Sequence, residues 1–254
     1  MSKWLVLAGL ITATLGGTDA GEAVEINVYS AGAVQEAERA LAADFTRMTG
    51  NKVNFTVGTV GQIQEKLKSG APADVIVVST PALEQLEKAG EVRPNSAVPL
   101  ARIGIGVAAK EGTAMPDIST AEKFKEAMLK AKSVTYMDPA QGASSGIATA
   151  KIMKDLGIAE EMAGKTKLTQ SGYAADRVAS GEVEIAIQNV SELVPVKGVR
   201  VAGMLPAPLQ VYTAYSAGVA VKSVAPKEAT DFIRYLSRAE AAGHWKEAGI
   251  EPAH

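Results

Sequence analysis

The sequence predicts an α/β protein built as two blocks of mostly parallel sheet covered by helices. Three observations carry this reading. Short runs with strand periodicity alternate with helical segments along the whole chain. Hydrophobic residues make up 47% of the 254 residues but aromatic ones only 5%, the aliphatic bias of sheets buried on both faces. Asp74 to Val78 is a nearly unbroken apolar run, too short for a buried helix and suited to a central strand.

The first block opens with Glu25 to Tyr29, which alternates like a strand. Val34, Ala37, Leu41, Phe45 and Met48 then mark one face of a helix, and Gly50 supplies the residue that tolerates positive φ at its end. Val53, Phe55 and Val57 form a second strand, followed by the turn Gly58-Thr59-Val60-Gly61 and a helix through Lys68. After the third strand, Thr80 is expected to cap a helix with Pro81 at its first position and Gly90 beyond its end. Three consecutive strand–helix units imply right-handed crossovers in a parallel sheet.

Leu100 to Lys110 leads to the second block. Ser119 and Glu122 read as a capping box for a helix over Ala121 to Ala131. A strand at Ser133 to Met137 is broken by Asp138-Pro139, and a helix runs from about Ser145 to Leu156. A strand around Leu168, a short helix from Ala174 to Ser180, and strands at Glu184 to Gln188 and Val199 to Ala202 follow. Past Pro206 and Pro208, an apolar strand spans Tyr212 to Val221, and helices occupy Pro226 to Ser237 and the tail.

Several function classes are excluded early. A net charge of −2 leaves no electrostatic footprint for nucleic acid or an acidic membrane. Without cysteine, and with His244 and His254 as its two histidines, the chain offers no thiol chemistry, no disulfide and no clustered metal ligands. It carries no phosphate-binding glycine motif either, so no cofactor is implied. Lys3 followed by the apolar run Trp4 to Leu15, too short to span a bilayer, reads as a signal peptide over residues 1–23, cleaved after Ala20 or Ala23. No cysteine stands at that junction for lipid attachment. The mature chain is therefore expected free in the periplasm, monomeric and not inserted in a membrane.

Lys68-Ser69-Gly70-Ala71-Pro72-Ala73-Asp74 before a buried strand ending at Ser79, Gly146 to Gly157, and Trp245-Lys246-Glu247-Ala248-Gly249 together resemble the molybdate-binding proteins of ABC importers. The resemblance covers essentially the whole mature chain. It implies a type II periplasmic-binding fold: residues 24–103 and 211–254 as one lobe, 104–210 as the other, and two crossing strands as the hinge. It also implies a small anion held between the lobes and permease subunits as partners.

The chemistry of such a site is visible in three turns, Ser30-Ala31-Gly32-Ala33, Gly58-Thr59-Val60-Gly61 and Gly142-Ala143-Ser144-Ser145-Gly146. Each precedes a helix, whose first N–H groups lack partners and whose dipole is positive there. Each is also, taken singly, an ordinary Gly/Ser cap. Against the family pattern, Ala33 replaces a serine, Thr59-Val60-Gly61-Gln62 replaces a serine-rich turn, and Gln188 replaces a tyrosine. Losing these hydroxyls points away from a compact tetrahedral ion and toward a carboxylate. Ser144 and Ser145 would hold one carboxylate, Gln62 or Gln188 another, and Arg102 would supply a guanidinium fork or serve structurally. Tyr29, Tyr173, Tyr212 and Tyr215 are further cleft candidates.

Two functions stay open. One is a solute receptor for an ABC-type importer. The other follows from Gln188-Asn189-Val190-Ser191-Glu192, which resembles the corresponding segment of periplasmic aconitate isomerases. Those enzymes move a proton between allylic carbons, so a base is required, with Glu192 or a cleft tyrosine such as Tyr29 as candidates.

Overall fold

The computed structural model describes residues 23–253. All of the expected signal segment except Ala23 lies outside the described residues. Strands β1 (Glu25–Ala31), β2 (Lys52–Gly58) and β3 (Val75–Ser79) are parallel, in the order β2-β1-β3. Helices α1 (Gln35–Thr49), α2 (Val60–Lys68) and α3 (Thr80–Lys88) follow them in turn. Gly50 ends α1 in the left-handed region at φ 79°.

The long strand β4 (Val98–Lys110) leads into α4 (Ala121–Lys130), β5 (Val134–Tyr136), α5 (Ser144–Asp155), α6 (Ala159–Ala163) and α7 (Ala175–Ala179). Then come β6 (Ile185–Asn189), α8 (Val190–Leu193), β7 (Val199–Met204), β8 (Tyr212–Val219), α9 (Pro226–Ser237), α10 (Ala242–Glu247) and β9 (Glu251–Pro252). The outer strands of each block are parallel, while β8 and β4 enter between them antiparallel, giving the order β2-β1-β3-β8-β4-β6-β5. The first half of β4 pairs with β8 and the second with β6 and β7, so one strand belongs to both halves.

The cores divide at the same point. Ile103 packs into a cluster with β1, β3, α1 and α9, whereas Ile105 packs with α4, α5 and β6. In the first cluster Phe45 meets Phe232 and Tyr235 edge-on, with ring centroids 5.2 and 5.4 Å apart. Trp245, wholly buried, donates its indole N–H to the carbonyl of Leu236 at 3.0 Å.

Asp74 locks this half together. Its carboxylate, 1% exposed, accepts from the backbone N–H of Asn27 at 2.9 Å, Val224 at 3.0 Å and Ala225 at 3.2 Å, and from Ser223 Oγ at 2.7 Å. One side chain thus joins β1 and β3 to the turn before α9.

Three local expectations are corrected. Ser119 does not cap α4, because its hydroxyl donates to Asp117 at 2.7 Å. Thr120 caps instead, accepting from Lys123 N–H at 3.2 Å. Thr80 is the first residue of α3, with its hydroxyl 2.8 Å from Ser216 on β8, and Ser79 stands at the N-cap. Around Leu168 there is no full strand. Thr166 and Thr169 make isolated bridges to Val134 and Met137, since β5 is too short to carry a ladder.

Candidate functional site

A cavity of about 250 Å³ lies where the ends of β1, β2 and β6 face the start of α5 and the segment around Tyr173. Gly32, Ala33, Thr59, Val60, Gln62, Ser144 and Ser145, candidates for the binding turns, line it, and so does Glu192, a candidate base. Tyr173 and Tyr215 line it too.

The three turns differ in what they offer. A 3₁₀ turn, Gly32–Val34, leads into α1 with no side-chain cap, and α5 begins after Ala143 with none either. No side chain therefore covers either helix start, and residues of both turns line the cavity. The α2 turn is satisfied within itself. Thr59 Oγ1 accepts from Gln62 N–H at 3.1 Å, and Gln62 Oε1 accepts from Thr59 N–H at 3.0 Å. The backbone N–H groups of Thr59 and Gln62 are therefore spent inside the turn, and the side-chain donor Gln62 Nε2 is not.

Among the described residues, the two halves touch around the cavity through hydrogen bonds and close backbone packing, without an ion pair. Thr59 Oγ1 donates to the carbonyl of Gln141, and Gln62 Nε2 lies 3.4 Å from Gln141 Oε1. Gly61 abuts this turn so closely that a Cβ there would stand 2.7 Å from Gln141 O. On the other side, Tyr173 donates to Glu36 Oε1 at 2.6 Å and accepts from Gln35 Nε2 at 2.7 Å. Ser191 Oγ donates to Ala33 O at 2.6 Å.

Glu192 is the chemically unusual residue. It sits in the first turn of α8, 8% exposed, with Oε1 lying over Gly32 and Oε2 accepting from Asn189 Nδ2 at 2.8 Å. Burial raises its pKa to about 7, against the lowering effect of Asn189 and Gln188. Among the residues lining the cavity none is basic, and Glu192 is the one carboxylate. Tyr215, fully buried, places its hydroxyl 3.0 Å from Ser144 Oγ; burial holds the phenol well above its ordinary range. Asn189 Oδ1 is buried on the cavity wall with no partner.

Several expected ligand contacts lie elsewhere. Arg102 is on the outer surface, bonded to Glu251 at 2.6 Å and stacked over Tyr212, so it provides no fork in the cavity. Gln188 is buried, but its Oε1 accepts from Ala174 N–H at 2.7 Å and its Nε2 donates to Gly172 O at 3.3 Å. It positions the segment bearing Tyr173 and does not reach a ligand itself. Ser30 gives its hydroxyl to Glu38 Oε2 at 2.5 Å inside the core. Burial pushes Glu38 up to about 8, with Ser30 and Arg39 acting the other way. Tyr29 packs on the first core, Tyr212 is exposed, and Ser79 pairs with Tyr215 in the sheet. Gly146 is required for packing, since a Cβ there would overlap the carbonyl of Met137.

The sequence reading missed Gln35, Ser171 and Asn189 on the cavity wall. Asn189 carried a usable signal, standing at a strand end three residues before an acidic residue on the next helix. Replacing Ser144 and Ser145 together with alanine is expected to weaken ligand binding by about tenfold or more, at roughly 1 kcal/mol per lost donor. Titration of ligand-induced thermal stabilisation measures this, and an unchanged affinity would remove both serines from the site.

A mixed α/β fold with a strand common to both halves and a polar cavity between them defines a two-lobed solute-binding protein of the type II periplasmic class. The profile of the bacterial extracellular solute-binding protein family matches residues 26–251, and the chain belongs to this family. The periplasmic molybdate-binding protein of Azotobacter vinelandii superposes with a TM-score of 0.74 at 18% identity, covering 89% of this chain and 98% of that one. A sulfate-binding protein from Mycobacterium tuberculosis H37Rv gives 0.72 at 18% identity, covering 91% and 87%. At these identities the likeness is one of fold. An aconitate isomerase from a Pseudomonas species is 29% identical over 254 residues, 98% of this chain and 95% of that one. No helix among the described residues is long and apolar enough to cross a membrane.

Proposed function

We propose that this protein holds a small polycarboxylate between its lobes and moves a proton between two allylic carbons of it, as an isomerase of the aconitate type. The observation that carries the reading is Glu192, a carboxylate on the cavity wall held near neutrality by burial. General bases work best when their pKa lies close to the operating pH. A pocket serving only to retain anions gains nothing from a buried carboxylate inside it.

The chemistry is a 1,3 shift. Glu192 takes a proton from the saturated carbon, the electron pair forms a new double bond as the old one opens, and the far carbon takes the proton back. Negative charge spread over the substrate carboxylates would meet the positive ends of α1 and α5, neither capped by a side chain, and the hydroxyls of Ser144 and Tyr215. Hinge bending where β4 and β8 cross between the lobes, near Ile103 and Val211, would admit substrate. Full-length similarity to an aconitate isomerase supports the same assignment.

A second reading, a carboxylate receptor for an ABC importer, is favoured by the family and by the fold shared with molybdate- and sulfate-binding proteins. One experiment separates the two. The purified protein is mixed with trans-aconitate and followed by proton NMR. Growth of the cis signal is the expected result. Thermal stabilisation by aconitate with no conversion would establish the receptor instead, and stabilisation by molybdate alone would overturn both carboxylate readings.

A further inference from the structure

We infer that ligand binding in this cavity is coupled to uptake of one proton, which Glu192 receives as the anion enters. The inference rests on the reading that the cavity holds a carboxylate, and it concerns how that site is regulated.

The wall around Glu192 presents acceptors. Its carboxylate lies over Gly32, and Asn189 beside it spends Nδ2 on Glu192 while its Oδ1 stays buried without a hydrogen-bond partner. A carboxylate ligand is itself made of acceptors. Ionised ligand against ionised Glu192 therefore gives like-charge repulsion with no proton to join the oxygens. Among the described residues, no lysine, arginine or histidine lines the cavity to offset it. The ionisable groups facing Glu192 are Tyr215 from β8 and Tyr173 from the segment before α7, both phenols held above their ordinary range. Glu36 of α1 is bonded to the far side of Tyr173.

One proton resolves the conflict. Protonated Glu192 carries no charge to repel the anion, and its O–H adds a donor where the ionised group offered acceptors alone. Burial already places Glu192 near neutrality, at about 7, and a bound anion raises it further. The folded, empty protein at higher pH carries Glu192 ionised, so each ligand bound there must bring a proton from solution. Catalysis by the same residue uses its ionised form, and binding and turnover are therefore expected to move in opposite directions with pH.

The test uses propane-1,2,3-tricarboxylate, which has no double bond to shift. Its carboxyls are ionised above about pH 7, so only the protein titrates. Affinity is expected to fall by about tenfold per pH unit once pH exceeds the Glu192 pKa. Calorimetry in two buffers of different ionisation enthalpy at about pH 8.5 should then show close to one proton taken up per ligand. Glu192→Gln, permanently neutral, should bind with an affinity that no longer changes with pH and with no proton uptake. Equal affinity across the range in the native protein, or the same pH dependence in the variant, overturns the coupling and leaves the carboxylate site standing. No binding at any pH overturns the carboxylate reading and the coupling together.

Discussion

Replacing Glu192 with glutamine is expected to lower kcat for the trans-to-cis conversion by about 10² to 10⁴-fold, the usual contribution of a positioned general base, while the protein stays folded and still binds substrate. The substitution keeps the shape and the bond to Asn189, and it removes a carboxylate whose burial is costly. Thermal stability should therefore hold or rise slightly. In the native protein kcat/KM should climb with pH and level off above about 7, as the base becomes ionised in the free enzyme. Steady-state kinetics over pH on both proteins measures this directly. A variant retaining most of its kcat would show that Glu192 is not the base, and Tyr215 would be the next side chain to replace.

The second large effect concerns stability. Asp74→Ala is expected to destabilise the fold by about 3–5 kcal/mol, the range for breaking a buried, multiply bonded charged group. Its removal leaves the N–H groups of Asn27, Val224 and Ala225 and the hydroxyl of Ser223 without their shared acceptor. Burial raises the pKa of Asp74, but the hydrogen bonds from Asn27, Ser223, Ala225 and Val224 outweigh it and bring it below the usual carboxylate value. A depressed folded-state pKa gives stability that is complete above the unfolded pKa of about 4 and is lost as pH falls through the folded value. Acid unfolding of the native protein should show that loss, and Asp74→Ala should lack this component. Chemical denaturation at neutral pH checks the magnitude. A cost under about 1 kcal/mol would mean that water replaces the carboxylate at little expense.

Much of the fold was legible because its signals are local. Pro226 at the start and the apolar spacing after it marked α9 to its final residue, and Gly50 marked the end of α1. Caps were less secure, since hydroxyl residues compete: Ser119 and Thr120 stand side by side, and only the place of Asp117 decides which one caps α4. The Leu168 segment had strand composition without a strand partner long enough to pair with. For the cavity, the glycine and serine turns were readable because an open helix start needs those residues. Whether a side chain at a strand end faces the cavity was not. Ser30 ends up in the core with Glu38, Gln188 turns to the Gly172 loop, and Arg102 reaches the outer surface. Those directions depend on sheet pairing between segments distant in sequence, from β1 with β2 and β3 to β4 with β6 and β8.

Among the described residues no ion pair joins the two halves: apart from the Glu36 carboxylate, which accepts from the neutral phenol of Tyr173, the contacts between them are hydroxyls, amides and backbone. Dissolved salt weakens attraction between exposed charges over distances near 10 Å and leaves short neutral hydrogen bonds largely untouched. Such a clamp keeps its grip in dilute water and in brine alike, which suits a protein of an extracellular solute-binding family working where the cell does not set the ionic strength.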